Sequence, residues 1–218
     1  MCKDEAINFL FNEKNIAVIL GGLPGSGKST LAEKFVSRQY LCICKDTIRY
    51  EFAKMKFGDK PESLLDEHLQ KFSRYCHPVI ADMTESYFNK SPVFHSVNFS
   101  KMDNEMKAFA KQYISKFDYS TFSGIVYDAT YFTRQQRKIP LELIKGRLDA
   151  FSIFINKPIN SCFKNVQKRS ETIIGNYDNE PVYGRFVPFE VLENMNKATV
   201  LPKKSEGFKN VYIIANDF

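Results

Sequence analysis

The stretch Gly22-Leu23-Pro24-Gly25-Ser26-Gly27-Lys28-Ser29-Thr30 decides the fold of this 218-residue chain. It fits the pattern G-x-x-x-x-G-K-[ST], in which glycines let backbone N–H groups close around a phosphate, the lysine reaches the β- and γ-phosphates, and the serine hydroxyl holds Mg²⁺. The stretch, called the P-loop below, predicts a binding site for ATP or GTP with Mg²⁺. The residues assigned to this site are Gly22, Gly25, Ser26, Gly27, Lys28, Ser29 and Thr30, with Ser29 as the Mg²⁺ ligand.

The segments on either side of the P-loop support this prediction. Residues 16–20, Ile-Ala-Val-Ile-Leu, form a short apolar run that is typical of a strand buried on both faces. Downstream, Leu31, Ala32 and Phe35 recur at helical spacing within residues 28–38. Strand, glycine-rich turn and helix follow in the order that a P-loop requires, whereas a surface turn before an unrelated helix is the alternative.

Composition narrows the class of protein. Hydrophobic residues make up 44% of the chain and charged residues 26%, which is typical of a globular protein rather than a disordered one. The first five residues include two acids where a secretion signal has positive charge, and no run approaches the length of a membrane span. We therefore expect a soluble intracellular protein. The five cysteines are an odd number without disulfide-scaffold spacing, which favours reduced thiols.

Further strands are predicted at residues 40–44, 124–127, 148–155 and 210–215, with helices between them. This alternation indicates a parallel sheet with helices on both faces. We expect a three-layer α/β fold of about five strands in a single domain over residues 1–218. Residues of about 50–122 form a long helical insertion, with a loop near 87–100, and about 164–188 form a lid whose centre, 170–184, is polar and turn-rich.

The insertion has two interpretations. Its apolar residues recur at helical spacing, at Leu64, Leu65, Leu69 and Phe72 and again at Met102, Met106, Phe109, Ala110 and Tyr113. Such stripes usually pack a core, and we favour that interpretation over a wall that binds a phosphate acceptor. The three histidines, His68, His77 and His95, lie in this insertion without the spacing of a metal site.

Asp46 and Arg49 follow the second predicted strand directly. Ligands of open α/β sheets bind outside the carboxyl ends of the strands, so both residues are candidates for the acceptor side of a transfer site. Asp46 could accept the proton of an attacking hydroxyl group, or it could cap the helix that follows. Arg49 could hold an acceptor phosphate, or it could be a surface ion-pair partner of Asp46.

A phosphoryl-transfer site also needs groups that orient the Mg²⁺ ion and neutralise charge, and other polar residues are candidates for these roles. Asp128 ends the third strand, where it could orient Mg²⁺-bound water or an arginine, or cap the next helix. Arg169 could close over a triphosphate and neutralise charge during transfer, although Lys164 and Lys168 make a solvated basic helix face the alternative. Tyr131 and Phe132, just after the third strand, are candidates for contact with an acceptor.

These pieces resemble the P-loop polynucleotide 5′-hydroxyl kinases, which include the kinase domains of phage end-healing enzymes and of fungal-type tRNA ligases. The resemblance rests on the P-loop, Asp46-x-x-Arg49, residues 128–130 (Asp-Ala-Thr), Arg137 and residues 168–169 (Lys-Arg), which occur in the family's order. It implies a P-loop kinase fold.

The resemblance also assigns roles to residues. It implies that Lys28, Asp46 and Arg169 are catalytic, with Asp46 as the general base and Arg169 as a lid arginine on the triphosphate. It assigns substrate binding to four residues, Arg49, Asp128, Thr130 and Arg137. The chain departs from the phage pattern at Asn165, where that pattern has a second lid arginine.

Three functions follow as hypotheses. The first is transfer of the γ-phosphate of an NTP to the 5′-hydroxyl end of RNA or DNA, with RNA favoured, in repair or end healing, where a separate ligase or phosphatase could complete the pathway. The second is a P-loop kinase that phosphorylates a sugar, nucleotide sugar or antibiotic, since one fold serves many acceptors. The third is an NTP-dependent nucleic-acid adaptor without turnover. The net charge of +6 and the pI near 8.9 are weak support for a polyanionic partner.

Overall fold

Strand β1 (Ile16–Gly22) lies in the middle of a five-stranded parallel sheet and leads into the P-loop. The computed structural model describes residues 3–58, 66–171, 173–177, 180–183 and 186–215. The other sheet strands are β2 (Tyr40–Cys44), β3 (Gly124–Asp128), β4 (Asp149–Ile155) and β7 (Asn210–Ile214). The strand order is β2-β3-β1-β4-β7. Every residue of β1 is buried, as the apolar run predicted.

Helices cover both faces of the sheet, so the predicted α/β fold is confirmed. The helices are α1 (Lys3–Asn12), α2 (Lys28–Val36), α3 (Lys45–Phe57), α4 (Asp66–Lys71), α5 (Ser73–Asn89), α6 (His95–Phe99), α7 (Asn104–Ile114), α8 (Arg134–Ile144), α9 (Ile159–Ser170) and α10 (Phe189–Lys197). On one face, Val18 and Leu20 of β1 share a buried cluster with Leu31 and Phe35 of α2. Across the described ranges, every helix is too short or too polar to span a lipid bilayer.

The chain divides into two compact units. The first holds the described residues up to 42, then 123–171 and 186–215, and contains the P-loop. The second holds the described residues within 43–122 and 172–185. This second unit begins at Ile43, before the predicted start of the insertion near residue 50, so β2 contributes to both units.

The second unit has its own aromatic core. The ring of Phe52 on α3 is fully buried, and its centroid lies 6.1 Å from that of Phe72, 6.2 Å from that of Tyr75 and 6.5 Å from that of Phe109. The other predicted apolar positions on α7 and just before it, Met102, Met106, Ala110 and Tyr113, are buried as well. This burial agrees with the packing interpretation of the stripe. Residues 64 and 65 of the other stripe lie outside the described residues.

Two segments differ from the sequence prediction. The loop expected near residues 87–100 contains the end of α5 and the short helix α6. Buried Asp82 makes α6 possible, because its carboxylate accepts hydrogen bonds from the N–H groups of Ser96 at 2.7 Å and Val97 at 2.9 Å. Because the residue that accepts hydrogen bonds from the first N–H groups of α6 lies on another helix, the local sequence gives no sign that a helix begins there.

The predicted lid also contains regular structure. Strands β5 (Ile173–Tyr177) and β6 (Glu180–Tyr183) pair antiparallel in the region that was expected to be a polar loop. The β-branched and aromatic residues of this segment favour strands and account for the difference. Residues 172, 178, 179, 184 and 185 of the predicted lid lie outside the described residues.

Candidate active site

The P-loop joins β1 to α2 in a conformation that suits an anion. Gly27 caps the N-terminus of α2 with a left-handed backbone, at φ 102° and ψ 11°, and no side chain caps this helix end. A Cβ atom at Gly27 would meet nothing within 4 Å, so the space in front of the helix is open. N–H groups and the helix dipole at such an end attract negative charge. The residues present therefore fit a phosphate group.

Lys28 adds a positive charge to this site. Its side chain is buried, and Nζ donates to the carbonyl oxygen of Leu23 at 2.8 Å and to Oγ of Ser26 at 3.4 Å. These bonds hold the ammonium group within the loop, where a bound phosphate could replace either contact. Ser29 and Thr30 are exposed on the first turn of α2, which leaves the Ser29 hydroxyl accessible for Mg²⁺.

The turn after β3 contacts the start of the P-loop. Asp128 is the last residue of β3, is 5% exposed, and lies in register with Leu20 of β1. The backbone N–H of Gly22 donates to the carbonyl oxygen of Thr130 at 2.8 Å. The structure thus brings Asp128 and Thr130 to the edge of the sheet from which the P-loop emerges. The contact of Thr130 with the loop is made by its backbone.

Arg137 lies in a different environment from the one predicted. Its side chain is fully buried, and its guanidinium donates to both carboxylate oxygens of Glu206 at 2.8 Å and to the carbonyl oxygens of Tyr131 at 3.0 Å and Val200 at 2.8 Å. This placement does not fit the predicted role in substrate binding. Arg137 instead fixes the turn after β3, where Tyr131 has a positive φ of 37°. Sequence spacing could not reveal this role, because Glu206 is distant along the chain.

Helix α9 packs directly on the P-loop. Nδ2 of Asn165 donates to the carbonyl oxygen of Gly25 at 2.8 Å, and a Cβ atom at Gly25 would lie 2.3 Å from the carbonyl oxygen of Cys162. Arg169 is exposed one helical turn after Asn165, on the same side of α9. The sequence marked Asn165 only as a departure from a pattern and gave no sign of this contact.

Asp46 and Arg49 form an ion pair within the second unit, which is the contact that the alternative interpretation of Arg49 predicted. Cys44 is the N-cap of α3, so the alternative that Asp46 caps this helix is wrong. The Asp46 carboxylate, 67% exposed, is paired with Nη2 of Arg49, whose side chain is only 11% exposed. Nη1 of Arg49 donates to Oε1 of Gln70 at 3.3 Å and to Oγ of Ser73 at 3.2 Å. Gln70 and Ser73, which sequence reasoning missed, therefore hold the arginine in place.

A buried thiol lies beside this pair. Sγ of Cys76 donates to the carbonyl oxygens of Phe72 at 3.5 Å and Lys45 at 3.8 Å. Burial raises the pKa of Cys76 to about 11, although the positive charges of Lys45 and Arg49 act in the opposite direction. The thiol is therefore protonated at neutral pH. Among the described residues, no group of three or more His, Cys, Asp or Glu side chains could hold a metal ion.

A comparison with protein-family models identifies one family. A model described as an AAA domain matches residues 18–198, which span the P-loop, the turn after β3 and helix α9. No curated protein sequence matches the chain.

Solved structures that are similar to this chain include kinases. A provisionally assigned kinase from Chloroflexus aurantiacus is 8% identical, with 94% of this chain and 86% of that chain covered, at a TM-score of 0.55. A gluconokinase from Sinorhizobium meliloti is 14% identical, with 94% of this chain and 86% of that chain covered, at a TM-score of 0.47. A chain of the Pnkp1/Rnl/Hen1 RNA repair complex is 18% identical, with 86% of this chain and 44% of that chain covered, at a TM-score of 0.46. At 8% identity, the Chloroflexus aurantiacus structure shows only that the fold is shared.

Proposed function

Because the chain belongs to the AAA domain family and has a P-loop kinase fold, we propose that it is a polynucleotide 5′-hydroxyl kinase. The donor is ATP or GTP, and the acceptor is the 5′-OH end of a nucleic acid, RNA in preference to DNA. In the transfer, the hydroxyl oxygen forms a bond to the γ-phosphorus while the bond from that phosphorus to the β,γ-bridging oxygen breaks. The NDP leaves with the bridging oxygen, and a base takes up the hydroxyl proton.

The donor side of the proposal rests on the P-loop. The open end of α2, the buried ammonium group of Lys28 and the exposed hydroxyl of Ser29 supply the three contacts that a Mg²⁺-bound triphosphate needs. Mg²⁺, held by Ser29, would neutralise charge on the β- and γ-phosphates. Arg169 on α9 would neutralise charge that develops during the transfer.

The ion pair of Asp46 and Arg49 is the single observation that supports this acceptor. A nucleic acid with a 5′-OH end carries its first phosphodiester close to that hydroxyl, so its site needs a base and a cation side by side. Asp46 would accept the proton, and Arg49 would bind the phosphodiester. Because Gln70 and Ser73 already orient the guanidinium, little side-chain entropy is lost when phosphate binds. A neutral sugar would make no use of this arginine.

The test is phosphate transfer from γ-labelled ATP and GTP, with Mg²⁺, to a 5′-OH RNA oligonucleotide. We expect activity to fall by about a hundredfold to a thousandfold in Lys28→Ala and by a similar factor in Asp46→Asn, since a positioned base contributes about 10²- to 10⁴-fold. Glu51→Gln is the matched control, because Glu51 is a carboxylate on the same helix α3 that pairs with Lys116 instead. Full activity of Asp46→Asn would remove Asp46 from the role of base.

A panel of acceptors separates this function from its alternatives. RNA, DNA, a nucleoside 3′-monophosphate, a nucleoside and a set of sugars are compared with wild type and Arg49→Gln. We expect Arg49→Gln to raise KM for acceptors that carry a 3′-phosphate and to leave the nucleoside unaffected. Transfer to sugars with none to oligonucleotides would favour a small-molecule kinase. Salt-sensitive RNA binding without turnover would favour an adaptor.

A further inference from the structure

The P-loop peptide between Gly25 and Ser26 is held on both sides. Its carbonyl oxygen accepts a hydrogen bond from Nδ2 of Asn165 at 2.8 Å, and its N–H group donates to the carbonyl oxygen of Leu23 at 3.1 Å. Because the two groups point in opposite directions from one planar peptide, these bonds together fix its orientation. Only the first of them depends on a side chain.

The conformation of Gly25 makes this restraint necessary. Gly25 has a φ of 78°, in the region where glycine is far freer than other residues. Because Gly25 lacks a Cβ atom, the Gly25–Ser26 peptide can rotate about ψ of Gly25 more freely than at other residues. Such a rotation would turn the carbonyl oxygen, with its partial negative charge, toward a bound triphosphate and repel it. Helix α9 packs against the loop, since Cys162 and Val166 are fully buried in one cluster with Leu23. This packing places the side chain of Asn165 within hydrogen-bond distance of the loop.

We propose that Asn165 is a positioning residue that keeps the Gly25–Ser26 peptide in the orientation that binds a nucleoside triphosphate. This inference rests on the proposed function for its nucleotide, but it assigns a role to a residue outside the P-loop. Asn165 raises the affinity for the nucleoside triphosphate, because it orders the P-loop before the nucleotide binds. Arg169, one turn further along α9, acts on the transfer step instead.

The first test measures nucleotide binding without any acceptor, with ATP and GTP in the presence of Mg²⁺. Asn165→Asp keeps the size of the side chain but replaces the donor with an acceptor that repels the Gly25 carbonyl, so we expect the Kd to rise about tenfold or more. Asn165→Ala is expected to raise it about three- to tenfold, as for the loss of one hydrogen bond. Gln167→Ala, which removes an exposed amide from the same helix, is the matched control.

Kinetics distinguish positioning from general damage. At saturating NTP, the kcat of Asn165→Ala is expected to stay within about twofold of wild type while its KM for NTP follows the Kd. Arg169→Ala is expected to lower kcat and to leave the KM for NTP close to that of wild type. A fall in kcat for Asn165→Ala with an unchanged KM would overturn the proposal.

Hydrogen exchange of the nucleotide-free protein tests the same idea without the reaction. The Ser26 amide is expected to exchange faster in Asn165→Ala and Asn165→Asp than in wild type or Gln167→Ala, because the peptide is then held from one side only. If wild type binds nucleotide but transfers no phosphate to an oligonucleotide, the proposed function fails, whereas the nucleotide Kd and Ser26 exchange still decide the role of Asn165. Unchanged exchange in both Asn165 variants would overturn that role.

Discussion

Gly25 shows how one residue couples the P-loop to the helix beside it. A Cβ atom at this position would lie 2.3 Å from the carbonyl oxygen of Cys162 and 3.0 Å from Cγ2 of Val166. The pattern G-x-x-x-x-G-K-[ST] leaves this position free, so the requirement for glycine comes from the fold of this chain rather than from phosphate chemistry. The close approach of α9 is the cause.

Gly25→Ala should therefore disturb both stability and nucleotide binding. The positive φ alone costs about 1–2 kcal/mol for alanine, and the overlap with backbone atoms of α9 adds to this cost. Gly146→Ala is the matched control, because Gly146 has a φ of 73° but open space around its Cα. Denaturant unfolding should show a larger loss for Gly25→Ala, and only that variant should lose nucleotide affinity. Equal losses of stability would contradict the packing argument.

Cys76 allows a second test at the scale of a residue. Burial raises its pKa from 9.0 to about 11, so at pH 8 the thiolate fraction is about a hundredfold lower than for an ordinary cysteine. Alkylation of Cys76, followed by mass spectrometry of its peptide, should be at least about a hundredfold slower in the folded protein than in urea. The folded-state rate should rise up to about pH 11, and a plateau near pH 9 would contradict the shift.

At the scale of elements, the turn after β3 depends on a buried ion pair. Arg137 on α8 and Glu206 are 0% and 5% exposed, and Arg137 also binds the carbonyl oxygen of Tyr131. Removing one partner leaves a buried charge without compensation, which costs about 3–5 kcal/mol. Because Thr130 in this turn accepts a hydrogen bond from Gly22, the P-loop should be affected as well.

Arg137→Met should lower the free energy of unfolding by about 3 kcal/mol or more in urea titrations and weaken nucleotide binding. Lys138→Ala is the neighbouring control, since Lys138 pairs with Glu142 on the surface, where both side chains are more than half exposed. Such pairs contribute about 0–1 kcal/mol. If Arg137→Met were as stable as Lys138→Ala, the buried pair would not support the turn.

The sequence predicted elements better than it predicted side-chain partners. Apolar runs located all five sheet strands, most clearly β1 and β3, in which every residue is buried and the apolar signal is therefore continuous. The roles of Arg137 and Asn165 could not be predicted, since Glu206 and Gly25 come near them only through the fold. The sequence pattern located Asp46 at the end of a strand. It could not locate Gln70 and Ser73, which orient Arg49, because these residues belong to no recognisable motif.

For the whole molecule, the division into two units decides how stability responds to ligands. The P-loop, the turn after β3 and α9 all belong to the first unit, whereas Asp46 and Arg49 belong to the second. A ligand stabilises the unit that binds it by RT ln(1 + [L]/Kd), which is about 2.7 kcal/mol at a hundred times Kd. Donor and acceptor should thus stabilise different parts of the chain.

Thermal unfolding tests this prediction. A nucleoside triphosphate with Mg²⁺ at a hundred times its Kd should raise the Tm by about 5–10 °C, as expected for a protein of this size. Lys28→Ala should lose this shift, whereas Lys34→Ala, which removes a lysine from the last turn of the same helix, should keep it. If the units unfold in separate transitions, nucleotide should shift only the one that carries the P-loop.

A 5′-OH oligonucleotide should act on the other unit. We expect it to slow hydrogen exchange in α3, where Arg49 would bind its first phosphodiester, and to leave exchange in α2 unchanged. Arg49→Gln should abolish this protection, while Glu51→Gln should preserve it, because Glu51 pairs with Lys116 and not with Arg49. Protection of α3 that survives in Arg49→Gln would mean that the acceptor is held by other residues, and the acceptor half of the proposed site would have to be reassigned.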